Sequence, residues 1–152
     1  MSIPISKDDL VAVWPLSEVM RWAKAGGDAN VATAIAKGWS EIRSAALNKY
    51  SADSFDALTS ATVPDIVRGY AVDLSIDWLS SGNRQQGEID DRATRARQWL
   101  GRLATGFDHS LDGVVSLIGA STGGSAVRVG ASNLRFDPDN PFSSIGGGRR
   151  FR

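Results

Sequence analysis

Cysteine is missing from this chain and histidine occurs only once. The absence of cysteine excludes disulfides and thiolate metal centres, and it fits a reducing compartment of origin. The single histidine, His109, has no second imidazole or thiol to share a metal with. It stands between Asp108 and Ser110, just beyond a predicted helix, where an imidazolium is favoured by the negative helix end. No apolar run approaches the ~20 residues of a membrane-spanning helix. Met1 to Ser6 also lacks the basic-then-apolar layout of a signal peptide. The expectation is a chain made in the cytoplasm, with no membrane partner and no cofactor.

Formal net charge is absent too, but the balance is uneven. From Gly123 onward there are five arginines (Arg128, Arg135, Arg149, Arg150, Arg152) against two aspartates (Asp137, Asp139), a net +3. The preceding residues therefore carry −3. A neutral total argues against a dedicated nucleic-acid binder. A basic end suits an acidic protein groove or weak contact with phosphates.

The chain has 152 residues, 42% of them hydrophobic, with five tryptophans. That is enough for one domain with a real core plus an appendage. Ser6 is placed to cap a first helix, with Asp9 as the capping-box acid. Leu10, Val11, Val13 and Trp14 follow, until Pro15 interrupts. A short second helix over Leu16, Val19, Met20 and Ala23 stops at Gly26-Gly27. Asp28 or Asn30 opens a longer helix reaching about Tyr50, with its stripe on Val31, Ile35, Trp39, Ile42, Ala46 and Tyr50. Ser51 to Ala61 reads as a polar loop. Thr62 is the expected cap of a further helix, with Pro64 and Asp65 in its first turn. Its stripe is Val67, Ala71, Leu74 and Trp78. A last helix is expected from about Glu88 to Leu103 or beyond, along Ala93, Ala96, Leu100, Leu103 and Phe107, with small residues that invite close packing. The fold class is mostly α: a small bundle of about four to five helices over residues 1–113, followed by an extended Gly/Pro-rich arm over 114–152. Short β segments fit Val114 to Ile118, Ala126 to Val129 and Asn133 to Phe136. Asp137 to Pro141 has turn chemistry.

Candidate chemistry is sparse. Gly119-Ala120-Ser121-Thr122-Gly123 has the form of a nucleophile elbow, but the only histidine precedes the serine and no base follows it. A glycine–serine turn is the better reading. Gly119 to Gly124 has the spacing of a phosphate loop, yet Ser125 stands where lysine is needed. The pairs Asp8-Asp9 and Asp90-Asp91 fall in first helical turns, where acids are favoured without further function. Asp53 and Asp56 lack the other ligands of a calcium loop. No catalytic, cofactor-binding or metal residues are assigned, and the chain is read as a non-enzyme. Two surfaces remain. Arg92, Arg95 and Arg102 can share one face of the last helix, either solvated with local pairs such as Asp91–Arg95 or turned to a channel or subunit partner. In the arm, Phe136, Pro138, Pro141, Phe142 and Ile145 are apolar anchors, and Arg149, Arg150, Phe151 and Arg152 form a basic end. Such a segment suits docking in a partner's groove.

The order of these elements resembles a known family. Ser6-Lys7-Asp8-Asp9-Leu10 heads a short helix. A long helix bears Ile35, Trp39, Ile42 and Tyr50. Then come a polar loop, Val63-Pro64-Asp65-Ile66-Val67, a helix with Tyr70 and Asp73, and an arginine-bearing helix through Trp99-Leu100. Over roughly Ser6 to Gly113 this is similar to the head–tail adaptors (connector, neck proteins) of Mu-like tailed phages and prophages. The resemblance implies a homo-oligomeric ring, commonly of twelve subunits, beneath the portal protein at the capsid vertex of the virion. It also implies C-terminal arms reaching into the portal, an adjacent neck or tail-completion protein, and packaged DNA passing non-specifically nearby. The alternatives are a neck or tail-completion protein on the tail side, and a small helical regulatory or DNA-binding protein.

Overall fold

The computed structural model describes residues 3–81 and 87–119. Among them the chain forms six α-helices and one 3-10 turn, a small helical bundle as the periodicities predict. They are α1 (Lys7–Val13), α2 (Leu16–Ala23), the 3-10 turn Lys24–Gly26, α3 (Gly27–Ala46), α4 (Ala52–Asp56), α5 (Asp65–Ser80) and α6 (Gly87–Ala104). The predicted segments 126–129 and 133–136, the turn 137–141 and the rest of the arm beyond Gly119 lie outside the described residues.

α1 starts where the capping box places it. The Ser6 backbone N–H donates to the Asp9 carboxylate at 2.8 Å, closing the reciprocal cap. Asp9 also meets Arg68 of α5 at 3.1 Å, so one carboxylate caps a helix and ties it to another. Pro15 ends α1 and stands at the N-cap of α2. α3 begins at Gly27, slightly before the expected Asp28 or Asn30. Asn30 does not cap it. Its side-chain amide instead donates to the Ala23 carbonyl at 2.8 Å, holding the turn between α2 and α3. In that turn Lys24 has φ +53°, among the described residues the one non-glycine residue with positive φ. Such a backbone costs a residue with a Cβ ~1–3 kcal/mol.

α3 is the central element. It packs on α5, with α6 against both and α2 across one end. Gly38 sets the closeness of the α3–α5 crossing. A Cβ there would stand 2.7 Å from the Ser75 Oγ and 2.8 Å from the Ser75 backbone nitrogen. Ser75 is buried, and its hydroxyl donates to the Ala71 carbonyl at 2.6 Å, so it brings no unpaired donor into the contact. Ala93 and Ala96, the small residues expected to invite close packing along the last helix, are buried as well.

Three aromatic pairs fill the core. Trp39 stacks on Phe55 with centroids 5.2 Å apart. Tyr70 stacks on Trp99 at 4.7 Å, and Trp14 meets Trp22 edge-on at 5.4 Å. Each pair joins large apolar area to a favoured ring geometry.

Four expectations need correction. Ser51 to Ala61 is not simply a polar loop: it contains α4, whose Phe55 is buried against Trp39, and Leu58 is buried as well. The Arg43–Asp56 bidentate pair, both bonds 2.8 Å, clamps α4 to α3. Thr62 is not the cap of α5. Pro64 holds that place, and the Thr62 hydroxyl instead accepts the Thr59 N–H at 2.9 Å. Trp78 leaves the apolar stripe of α5, because Ile76 and Leu79 take the buried positions near its end. Phe107 is off the seam of α6 because the helix stops at Ala104. Trp99 and Ile89 are buried there instead, and Leu100 is only partly buried.

Candidate functional site

After α6 the chain turns at Gly106, where φ is +79°, and runs back along the C-terminal end of α3. Leu111 and Val115 bury into the core, so residues 114–119, read above as the start of the arm, begin against the helical body. The backbone ties are few. Ser51 N–H donates to the Ser116 carbonyl at 2.8 Å and Ile118 N–H to the Lys49 carbonyl at 3.0 Å. Between them Tyr50 and Leu117 form an isolated antiparallel bridge. The strand-or-extended reading of Val114 to Ile118 needs correction: Val114 and Val115 close a turn, their N–H groups donating to the Leu111 carbonyl at 3.2 and 3.0 Å, and the segment has only the isolated bridges Leu117 to Tyr50 and Val115 to Asp112.

Asp112 secures this segment electrostatically. Its carboxylate accepts the Tyr50 hydroxyl at 2.5 Å and the Lys49 ammonium at 3.0 Å, and it stands 2.6 Å from the His109 Nδ1. These three partners, Tyr50 first, hold its carboxyl well below the usual carboxylate range. Burial pushes the Tyr50 phenol up, and the neighbouring Asp112 adds to that. Lys49 also donates to the Asp108 carbonyl at 3.1 Å. His109 is thus held by Asp112, to whose carboxylate its Nδ1–H donates, a more specific partner than the helix end expected from its position. No sequence signal links Lys49 and Tyr50 to Asp112. They lie 63 and 62 residues away, and only the return of the chain brings them together.

The same segment exposes four large apolar side chains among polar ones such as His109 and Ser116. Phe107 is 80% exposed, Ile118 60%, Leu117 46% and Val114 45%. Val114 also lines a cavity of about 480 Å³ with Gly113, Ser54, Leu58 and Thr62. Large exposed apolar groups gathered on one short segment are characteristic of interaction sites.

The predicted arginine face is divided. Arg92 is half-buried and pairs with Asp73 at 2.8 Å and Glu88 at 3.8 Å, its guanidinium 5.7 Å from the Trp14 ring. Burial lifts the Asp73 carboxyl above its ordinary value, against the pull of Arg92. Arg95 lies beside Arg92 in a hollow of about 240 Å³, with Tyr70, Asp73 and Glu88. It is exposed, and its Nε meets the Asp91 backbone carbonyl at 3.3 Å rather than the expected Asp91 carboxylate. Arg102 is exposed and two turns further along α6, at the start of the 105–119 segment. Arg97, which the sequence reading left aside, bridges to Asp77 at 2.6 Å and Glu41 at 3.6 Å and links α6 to α5 and α3.

The aspartates read as caps stand in first helical turns, Asp9 with its further tie to Arg68. Asp8 and Asp9 stand in the first turn of α1, Asp90 in that of α6 and Asp53 in that of α4. Among the described residues no group of three or more His, Asp or Glu side chains could hold a metal ion. No described helix is long and apolar enough to cross a membrane. Ser121 and the arm residues Phe136, Pro138, Pro141, Phe142, Ile145, Arg149, Arg150, Phe151 and Arg152 lie outside the described residues. No protein-family model matches the chain, and no curated protein or solved structure matches it either.

Proposed function

We propose that this chain is a structural, non-enzymatic adaptor subunit of a tailed-phage neck. In this reading it forms a ring beneath the portal protein and docks through its C-terminal arm. The observation that carries the proposal is the arrangement of residues 107–118. Phe107, Val114, Leu117 and Ile118 face outward from a base held by Asp112 and by the burial of Leu111 and Val115. A segment tied down on the body yet exposing apolar side chains, close in sequence to the basic arm, suits a subunit that joins other polypeptides. The element order shared with the Mu-like head–tail adaptors supplies the particular assembly. Repetition of one docking segment around a ring turns a modest single-site affinity into a durable joint.

The reading places the protein in the virion neck at the capsid vertex, next to a neck or tail-completion protein and close to packaged DNA. Deleting residues 136–152 is expected to leave a folded helical domain, by circular dichroism, that no longer joins capsids to tails. Normal particle yield with the deleted chain would refute the proposal. Arg95 and Arg102, exposed on α6, favour a second reading as a small DNA-binding protein. That reading requires affinity of the isolated chain for duplex DNA that falls steeply with salt.

A further inference from the structure

On the far side of the bundle, the end of α2, one face of α3 and the end of α5 enclose a cavity of about 220 Å³. Its walls include Lys24, Asn30, Thr33, Lys37, Trp78 and Ser81. We infer that this cavity binds a phosphate ester, the phosphate held between the ammonium groups of Lys24 and Lys37 and the rest of the ligand flanked by the Trp78 indole. The inference is independent of the adaptor reading.

Three observations carry it. The first is charge. Arg43, Lys49, Arg92 and Arg97 meet carboxylates, whereas among the described residues Arg95 and Arg102 of α6 do not. Among the described residues no carboxylate lies within ion-pair distance of Lys24 or Lys37, although both line this one hollow. Two lysines that line one hollow without a carboxylate partner leave positive charge there for an anion to meet. Lysine serves phosphate as a compact point charge with several donors.

The second is backbone. Lys24 has φ +53° and ψ −146°, a conformation that glycine adopts freely and a residue with a Cβ does not. The chain places glycines at 26 and 27 in the same turn, yet it has lysine at the left-handed position. The turn is nevertheless held, because the Asn30 amide donates to the Ala23 carbonyl. Strain retained in this way at the rim of a cavity points to a use for the side chain.

The third is aromatic. Trp22, Trp39 and Trp99 are buried, whereas Trp78 is 38% exposed at this cavity. Its indole is fixed, with Nε1 donating to Glu41 at 2.5 Å and the Lys37 ammonium 4.6 Å from the ring centroid. Asn30, Thr33 and Lys37 follow i, i+3, i+7 along α3 and so share a face. An ordered indole with the Lys37 ammonium over its ring suits a phosphate attached to a flat or apolar group.

Such a phosphate could belong to a free nucleotide or to a nucleic-acid backbone. Titrating the full-length ¹⁵N-labelled chain with inorganic phosphate, adenosine monophosphate and a short single-stranded oligonucleotide separates the two. The readout is the Trp78 indole N–H resonance, assigned by its loss in Trp78→Phe. A saturable shift of that resonance is expected. Tighter binding of the mononucleotide would identify a free nucleotide, and tighter binding of the oligonucleotide a nucleic acid. Lys37→Gln should weaken the response about tenfold. Lys24→Gly should weaken it about as much while raising the thermal midpoint, since it removes both the charge and the backbone strain. A lysine of purely structural importance would not move binding and stability in opposite directions. No saturable shift with any of the three probes, or unchanged affinity in both variants, overturns the inference.

Discussion

The α3–α5 crossing and the 105–119 segment hold their places by opposite means. At the crossing the chain buries apolar groups and brings backbones together. Trp39, Ile42, Val67, Ala71 and Leu74 are all buried, and Gly38 lies against Ser75 with no room for a Cβ. In the 105–119 segment only Leu111 and Val115 are buried hydrophobics. A carboxylate with three polar partners does much of the holding, and the larger apolar side chains point away from the body. The first region is built to be stable by itself. The second is placed firmly while its apolar surface stays free for something else.

That contrast can be broken from either side. The largest effect is expected at the core. Trp39→Ala would empty the space beside Phe55 and Gly38, and it should cost ~3–5 kcal/mol in urea unfolding. Gly38→Ala should cost less, ~1–3 kcal/mol, because a methyl group 2.8 Å from the Ser75 backbone nitrogen forces the α3–α5 backbones apart. A Gly38→Ala protein as stable as the parent would show that the crossing is looser than its geometry indicates.

Asp112→Asn should act locally. Amide hydrogen exchange should rise over residues 108–118 and stay unchanged in the middle of α3 and α5. The pH dependence has a defined sign. The Asp112 carboxyl lies lower in the folded chain than in the unfolded one, so its stabilisation is complete above the ordinary carboxylate pKa of ~3.9 and fades as the pH falls below it towards the folded value. Protection over 108–118 in the parent, the exchange rate taken relative to that of an unfolded chain at the same pH, should therefore fall on acidification below about pH 4. Asp112→Asn should already show fast exchange at neutral pH and a flatter response to acid.

The smallest change in stability, within about ±0.5 kcal/mol, is expected for Phe107→Ser, since that ring is 80% exposed. Its assembly phenotype should be the reverse, with fewer joined particles from a chain whose unfolding curve is unaltered. A marked loss of stability in Phe107→Ser would mean that the ring supports the body rather than facing a partner.

Local patterns made much of the bundle legible. The capping box at Ser6 and Asp9, the break at Pro15 and the stripe through Val31, Ile35, Trp39 and Ile42 depend on neighbours a few residues away, and the structure bears them out. The short helix α4 was hidden because its polar residues obscured Phe55, whose burial depends on Trp39 across the fold. Trp78 and Phe107 were read as core because each continues a helical spacing. In one case other residues of the turn took the buried positions, and in the other the helix had already ended.

By itself the sequence determined that α1, α2, α3, α5 and α6 become helices, and most of their apolar faces. Those properties follow from residues within one or two turns of each other, where backbone hydrogen bonding and side-chain spacing act directly. Only the tertiary structure decided that Gly38 would meet Ser75, that Lys49 and Tyr50 would gather at Asp112, and that Lys24, Lys37 and Trp78 would line one cavity. These partners are set by how the helices cross and where the chain returns, and such geometry comes from packing the whole core at once.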